Sequence, residues 1–340
     1  MPATPDSTAI EALLLQSREL AYRAPHEAYR LAVTAASQAE RINEPQLQIR
    51  CNIHAMSLLF DRGELHEGGE WLMKALTVAE THDLHPEHGY LLAQLGILHY
   101  TLGENIQALE YWTDCLDYSN ERFSNDARIY AHIGTGQIYY AYGQFDAALR
   151  HHLHAKSLAE AGTTTDLLTS TLINLAADYN QLERYDEMRA ALDEAEALSR
   201  RAGNLNYLGE VCYYMTLLAL VQNDPARARQ YADEAASMPN ICIWSEVSNV
   251  ISHAQILRRD GQFDEAFALM LQAIDRAEKA HCSHHLFLVY RQIAAMYHEN
   301  GNFAESARYH RRYQECFQRM VNPEVLDTLA TLEEKLLGHD

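Results

Sequence analysis

The sequence predicts an all-α protein, a right-handed superhelical solenoid of about eight helical hairpins followed by one further helix. Residues that break helices recur at a nearly fixed spacing, and six of the seven steps between them are 40 residues. Between these breaks, apolar residues recur every three or four positions, and no segment shows the period-two alternation of a strand. Self-similarity at a fixed period is typical of stacked helical units that bury each other's faces. The eight break residues are Arg23, Gly63, Gly103, Gly143, Glu183, Asn223, Gly261 and Gly301.

The first unit begins the series with a proline just after its break. Pro25 follows Arg23, and Pro225 takes the same place after Asn223 in the sixth unit. The first turn of a helix has unpaired N–H groups, so proline is tolerated there. The shared position indicates that both breaks are turns leading into a second helix.

The third, fourth and seventh units show both helices most clearly. In the third, leucines at three- and four-residue spacing precede Gly103, and a second apolar stripe that includes Trp112 follows it. Gly96 lies in the middle of the first helix, where a missing side chain lets a neighbouring helix approach. The fourth and seventh units repeat the pattern around Gly143 and Gly261. Each unit is therefore predicted to be a helix, a tight turn and a second helix.

These residues resemble the tetratricopeptide repeat family over roughly residues 7 to 320. The resemblance rests on small residues in mid-first helix, an aromatic after the turn and a small residue near the end of the second helix. Its period of 40 residues exceeds the usual 34 and is similar to repeats in kinesin light chain and in bacterial regulators with a signalling output. The first two units depart most, with Met56 and Gly68 at small positions. The matching residues include Gly136, Ala176, Ala254 and Ala294 in the first helices, Phe145, Tyr185, Phe263 and Phe303 after the turns, and Ala155, Ala195, Ala235 and Ala273 in the second helices.

The resemblance implies that the first helices line a concave groove where a protein or peptide binds. Tyrosine supplies rigid apolar area with a hydrogen-bonding tip, and an Asn amide pairs with both groups of a peptide backbone. Asn174 occupies a position where family members clamp an extended peptide. Several of the tyrosines have the alternative of packing between hairpins. The groove residues carried over are Tyr90, Tyr100, Tyr130, Gln137, Tyr140, Asn174, Asn180, Tyr213, Arg258, Arg291 and His298.

Composition excludes several classes of partner. The formal charge of −20 argues against nucleic acid and against anionic membranes, because both require a basic surface. No apolar stretch approaches the ~20 residues of a membrane span. The N-terminus lacks the basic and apolar regions of a signal peptide, and six scattered cysteines fit reduced thiols. These features predict a cytoplasmic protein.

Histidine clusters are the only candidates for a metal site. They are His82/His85/His88, His151/His152/His154 and the run from His281 to His285. Structural zinc sites use paired two-by-two spacings, which none of these has, so no metal or other cofactor is predicted. No phosphate-binding loop, nucleophile elbow or His-Glu-x-x-His motif occurs, and the chain is predicted not to be an enzyme.

The C-terminal segment divides the chain into a solenoid of residues 1–321 and a terminal helix within 322–340. Asn322 and Pro323 suit a cap and a first helical position. A short heptad pattern of apolar residues follows, formed by Val325, Leu329, Leu332 and Leu336. Two alternatives stay open: a coiled coil that dimerises or leads onward, and a capping helix folded on the last hairpin. In bacterial proteins with similar repeats such a helix often leads into a diguanylate cyclase. The residues Gly338-His339-Asp340 resemble the opening of that domain.

Three functions are compatible with these observations. The leading one is a non-catalytic regulatory or sensory module of a bacterial signalling protein that binds a peptide or protein in its groove and transmits occupancy through the terminal helix. The second is a small-molecule sensor with the ligand enclosed in the superhelix, and the third is an assembly scaffold. An open groove favours an extended partner, whereas a tightly wound superhelix favours a small ligand.

Overall fold

The computed structural model describes residues 6–116, 123–162, 164–239 and 241–337, and within these ranges it is entirely helical. Eight hairpins and a seventeenth helix confirm the predicted fold class; residues 338–340, on which the diguanylate cyclase resemblance rested, lie outside the described residues. The helices are α1 (Ser7–Leu20), α2 (Pro25–Ile42), α3 (Pro45–Asp61), α4 (Leu65–Thr81), α5 (His85–Leu102), α6 (Asn105–Cys115), α7 (Asn125–Ala141), α8 (Phe145–Glu160), α9 (Thr165–Gln181), α10 (Tyr185–Ala202), α11 (Leu205–Val221), α12 (Pro225–Ser237), α13 (Ile243–Arg259), α14 (Phe263–Lys279), α15 (Ser283–Glu299), α16 (Phe303–Met320) and α17 (Pro323–Leu337).

All eight predicted break residues lie in the turns between the two helices of a hairpin. Seven of them adopt a left-handed backbone, including Glu183 and Asn223, whose φ angles are 57° and 59°. Such a residue reverses the chain and satisfies the last carbonyls of the preceding helix. Arg23 is the exception, and its turn is followed by Pro25 at the start of α2.

Helix-to-helix contact within and between neighbouring hairpins depends on small residues, of which Gly96 was predicted. Trp112 of α6 is fully buried, and its indole N–H donates to the carbonyl of Ala93 at 3.1 Å. A Cβ atom built on Gly96 would lie 2.1 Å from the Trp112 ring, and one on Gly134 would lie 2.2 Å from it. The indole therefore fills space that two glycines on α5 and α7 leave open.

The superhelix winds tightly enough that its successive turns touch. Four hydrogen bonds join residues 180 to 182 positions apart, which is about 4.5 units of 40 residues. The accessible surface is 15898 Å², modestly above the ~14,000 Å² expected for a compact chain of this mass. We call this line of contacts the seam. Its bonds join Tyr22 to Asn204 (3.5 Å), Leu102 to Ser283 (3.1 Å), Tyr142 to Asn322 (3.2 Å) and His151 to Glu333 (3.0 Å).

Helix α17 packs on the preceding turn of the superhelix rather than leaving its apolar face free for a coiled coil. Val325, Leu329 and Leu332 are at most 2% exposed and belong to the core cluster that contains Trp112. Its Glu333 contacts His151 of α8. Of the two alternatives, the structure shows a helix that caps the solenoid, but its apolar face covers α6, one turn earlier, and not the last hairpin. The same residues are not available for dimerisation while α17 is docked.

Two further expectations concern cysteines and membranes. All six cysteines are free, and all but Cys242 are buried. Among the described residues, no helix is long and apolar enough to cross a membrane.

Candidate functional site

The two turns of the superhelix enclose a central cavity of about 760 Å³, which we call the lumen. Its wall comes mainly from the first helices of the hairpins, α5, α7, α9, α11, α13 and α15. Contact between α5 and α15 closes the wall where the two turns meet. The lumen is therefore a chamber with residues of both turns around it, rather than a groove open along one side.

Eight of the eleven carried-over groove residues line the lumen, and three do not. Tyr90 lies behind the wall with its ring 5.7 Å from that of Tyr130. Arg258 pairs with Glu299 at 3.6 Å, and His298 packs against Phe303. The eight lining residues are Tyr100, Tyr130, Gln137, Tyr140, Asn174, Asn180, Tyr213 and Arg291.

Tyrosines dominate the wall because helical spacing on α7 and α11 presents them on one face. Tyr213 and Tyr214 are in edge contact, with ring centroids 4.9 Å apart. The Tyr140 hydroxyl accepts a hydrogen bond from the Gln181 amide at 2.9 Å. Burial raises the pKa of Tyr140 to about 12, and burial also raises the pKa values of Tyr130 and Tyr213. At neutral pH these hydroxyls are protonated and can both donate and accept.

Asn174 is held by two internal hydrogen bonds. Its amide N–H donates to the carbonyl of Ser170 at 2.9 Å, and its oxygen accepts from the Gln137 amide at 3.0 Å. The residue lines the lumen as predicted. Its pairing with Gln137 means that a ligand backbone must share or replace that bond.

Seven prominent lining residues were not among the predicted groove residues. Tyr207, Glu210 and Tyr214 follow i, i+3 and i+7 spacing on α11, a signal that the sequence offered beside Tyr213. Tyr313 and Phe317 lie on α16, a second helix, so the rule that first helices line the groove excluded them. The seven residues are Tyr207, Glu210, Tyr214, Trp244, His285, Tyr313 and Phe317.

The lumen has few charges although the protein is strongly acidic. Glu210 is its lining carboxylate, and Arg291 is its lining arginine. Within the described chain, neither has an ion-pair partner within 4.0 Å. The Arg291 guanidinium lies 5.9 Å from the Phe287 ring. Both charges are left for a ligand to complement.

Two lumen histidines are engaged by the protein itself. His152 lies between the Asp178 carboxylate, 2.5 Å from Nδ1, and the Ile133 carbonyl, 3.1 Å from Nε2. The His285 ring places Nε2 3.1 Å from the Trp244 carbonyl, to which it donates. Burial lowers the pKa of His285 to about 4, so its ring is neutral at pH 7. Both rings shape the wall.

The predicted histidine clusters do not converge on a metal site. In the middle cluster, His151 contacts Glu333, His152 contacts Asp178, and His154 stacks on His132. Within the ranges that the structure describes, no group of three or more His, Cys, Asp or Glu side chains is arranged to hold a metal ion.

Comparison with known proteins places the fold among tetratricopeptide-like solenoids. The tetratricopeptide repeat family model matches residues 246–319, in the seventh and eighth hairpins. Comparison with curated proteins gives no significant match. At identities below 15%, the following structural likenesses concern the fold alone.

Three solved structures illustrate the likeness. A Rap protein complexed with competence and sporulation factor is 12% identical, with a TM-score of 0.57 over 98% of this chain and 100% of that chain. The Rap conjugation gene regulator of plasmid pLS20, in complex with the Phr* peptide, is 13% identical, with a TM-score of 0.51 over 96% and 97%. The Cut9–Hcn1 hetero-tetramer of APC/C is 14% identical, with a TM-score of 0.60 over 96% and 57%.

Proposed function

We propose that this protein is a non-catalytic regulatory repeat domain that encloses a short peptide in its lumen. The observation that carries the proposal is the chamber itself, with tyrosine and amide side chains around it and one unpaired charge of each sign. Two of the similar structures are complexes with competence and sporulation factor and with the Phr* peptide, which supports a ligand in the same fold.

The chemistry of the wall suits a peptide. The amides of Asn180, Gln181 and Gln255 can each donate to a backbone carbonyl and accept from a backbone N–H. The tyrosine rings offer apolar area with little conformational entropy to lose. Arg291 suits a carboxylate, such as a peptide C-terminus.

Occupancy of the lumen has a direct route to α17 through Tyr142. This residue lines the lumen, and its hydroxyl donates to the carbonyl of Asn322 at 3.2 Å, immediately before α17. A ligand that moves the Tyr142 ring changes the anchor of the terminal helix. The same proposal includes the next step, in which α17 passes that change to an output domain such as a diguanylate cyclase or to a second copy of the chain.

A small-molecule sensor is the second candidate, because the lumen is closed by contact between turns. Its volume of about 760 Å³ lies within the ~300–1,000 Å³ typical of small-ligand pockets. A bulky protein partner is disfavoured by the same contact, because residues of both turns surround the lumen.

The test is a thermal-shift screen of the full chain with random hexapeptide pools. We expect at least one pool to raise the melting temperature, and Tyr140→Ala and Arg291→Ala to abolish the rise. Arg311→Ala, an exposed arginine on α16, is the matched control and should retain it. If no pool stabilises the protein, peptide binding is wrong, and a metabolite screen then separates the sensor from the scaffold.

A further inference from the structure

Among the residues that the structure describes, Glu210 has no positively charged partner within 4.0 Å. It is half-buried on α11 and lines the lumen. Three titratable groups lie close enough for its charge to raise their pKa values. They are Tyr207 and Tyr214 on the same helix, and Cys242 at the start of α13. None of these is cationic. Asp61 of α3, which also acts on Cys242, adds a further acid to this region.

The hydrogen bonds around Glu210 are complete without its charge. Among the described residues Ser245 is its hydrogen-bonding neighbour, but the single hydroxyl proton of Ser245 is donated to the carbonyl of Asn206 at 2.8 Å. Asn206 in turn donates to Asp61 at 3.1 Å and accepts from the backbone N–H of Cys242 at 2.7 Å. An ionised Glu210 must compete with the Asn206 carbonyl for the Ser245 hydroxyl proton. The hydrogen bonds among Ser245, Asn206, Asp61 and Cys242 therefore do not require its charge.

Burial raises the free-energy cost of ionising Glu210. It raises the pKa of Glu210 to about 7, with Ser245 acting in the opposite direction. A buried carboxylate is normally paired with a cation, because desolvation disfavours the charged form. A side chain that carries such a cost and faces a cavity is typical of a binding site.

We propose that Glu210 binds a cationic group of the lumen ligand, a guanidinium or an ammonium. This inference rests on the proposed peptide-binding function and names the ligand class: a short dipolar peptide whose positive group meets Glu210 and whose negative group meets Arg291. The two charges lie on different helices of the wall, Glu210 on α11 and Arg291 on α15. The ligand therefore has a fixed direction in the lumen.

The experiment compares two hexapeptide pools that differ in one charge. One pool has a fixed arginine at its third position, the other has the neutral isostere citrulline there, and both are also prepared with an acetylated N-terminus. In the wild-type chain we expect the arginine pool to bind about 10- to 100-fold more tightly than the citrulline pool, the ratio expected for a hydrogen bond between charged groups. In Glu210→Gln the ratio should fall to about one.

The acetylated pools identify the source of the cation. If acetylation removes binding and arginine gives no advantage, Glu210 binds the peptide amino terminus, and the proposal stands. If the pools stabilise the protein but neither change alters binding, the proposal for Glu210 is overturned while peptide binding is retained. If no pool stabilises the protein, both fall together.

A measurement on the free protein separates a binding role from a structural one. The folded-state pKa of Glu210 lies above the ordinary carboxyl value, so the stability that protonation gives is full at about pH 4.5 and lost as pH rises through about 7. We therefore expect Glu210→Gln to melt at a higher temperature than the wild type at pH 8, and at nearly the same temperature at pH 4.5. A lower melting temperature at pH 8 would show that the charge stabilises the fold and would overturn the proposal.

The same linkage predicts how pH affects binding. A cationic group competes with the proton for Glu210, so the preference for arginine over citrulline should grow between pH 6 and pH 8 in the wild type. In Glu210→Gln the preference should be flat across this range. An equal pH dependence in the two proteins would contradict the assignment.

Discussion

The interior of the hairpins and the seam between the superhelical turns hold the protein together in different ways. Within and between neighbouring hairpins, contact is steric: Gly96 and Gly134 leave the space that the buried Trp112 ring fills. At the seam, contact includes single hydrogen bonds between residues 180 to 182 positions apart, such as Tyr142 to Asn322. The hairpins therefore depend on close packing, whereas the closure of the lumen combines single hydrogen bonds with the apolar packing of α17 against α6.

This difference separates stability from function. A substitution inside a hairpin disturbs a close-packed contact, for which there is little room to relax. A substitution at the seam loses a hydrogen bond whose net value is about 1 kcal/mol. A lumen residue without an ion-pair partner among the described residues, such as Arg291, contributes little to either. The following predictions rank these classes by their effect on the free energy of unfolding.

The largest effect is expected for a glycine that faces Trp112. Gly96→Ala places a methyl group 2.1 Å from the indole, so the ring or its helix must move, and we expect a loss of about 3 kcal/mol. Gly69→Ala is the matched control, since its methyl meets only Cδ2 of Leu98, at 3.1 Å. There the helix propensity of alanine should stabilise by up to about 1 kcal/mol. Equal losses in urea denaturation would contradict the close packing at Trp112.

The next effect concerns the docking of α17. Leu332→Asp introduces a charge at a side chain that is 2% exposed, and we expect a loss of about 2–3 kcal/mol as the helix undocks. Leu326→Asp, on the same helix but 39% exposed, should change stability by less than about 0.5 kcal/mol. Thermal melts with sedimentation decide the matter. A change in association state without a change in melting temperature would favour the coiled-coil alternative.

A smaller effect is expected at the seam itself. Tyr142→Phe removes the hydroxyl that donates to Asn322 and should cost about 1 kcal/mol. The change should also raise amide exchange at the start of α17, because that residue anchors the helix. Tyr185→Phe serves as the control, since its hydroxyl makes no hydrogen bond with the described residues. Unaltered exchange in α17 would remove Tyr142 as the link between lumen and terminal helix.

The smallest effect on stability is expected in the lumen. Arg291→Ala removes an exposed guanidinium without an ion-pair partner among the described residues, and we expect a change below about 0.5 kcal/mol. Binding of a stabilising hexapeptide should nevertheless weaken about tenfold or more, as for a lost charged hydrogen bond. A large loss of stability would mean that Arg291 supports the wall rather than the ligand.

The hairpins could be predicted from sequence because their determinants are local. A break residue, the small residue before it and the apolar stripes lie within one 40-residue unit, and even Glu183 and Asn223 could be placed in turns without a glycine. Eight of the carried-over groove residues line the lumen for the same reason, since helical spacing fixes which face they share. Their binding roles remain predictions.

The seam and the closed lumen could not be predicted in this way. They depend on the small rotation between neighbouring hairpins, which accumulates over about 4.5 units before Leu102 meets Ser283. No short-range pattern encodes that sum. For the same reason neither alternative for α17, a coiled coil or a cap on the last hairpin, placed its apolar face against α6 of the preceding turn.

The central claim is that both turns of the superhelix together enclose the ligand. Hydrogen–deuterium exchange of the full chain, with and without the hexapeptide pool that gives the largest thermal shift, tests it most directly. We expect protection to increase at once in α7 and α9 of the first turn and in α11 and α15 across the lumen, while the outer helices α12 and α14 stay unchanged. Protection confined to outer helices, or to one side of the lumen, would contradict the account.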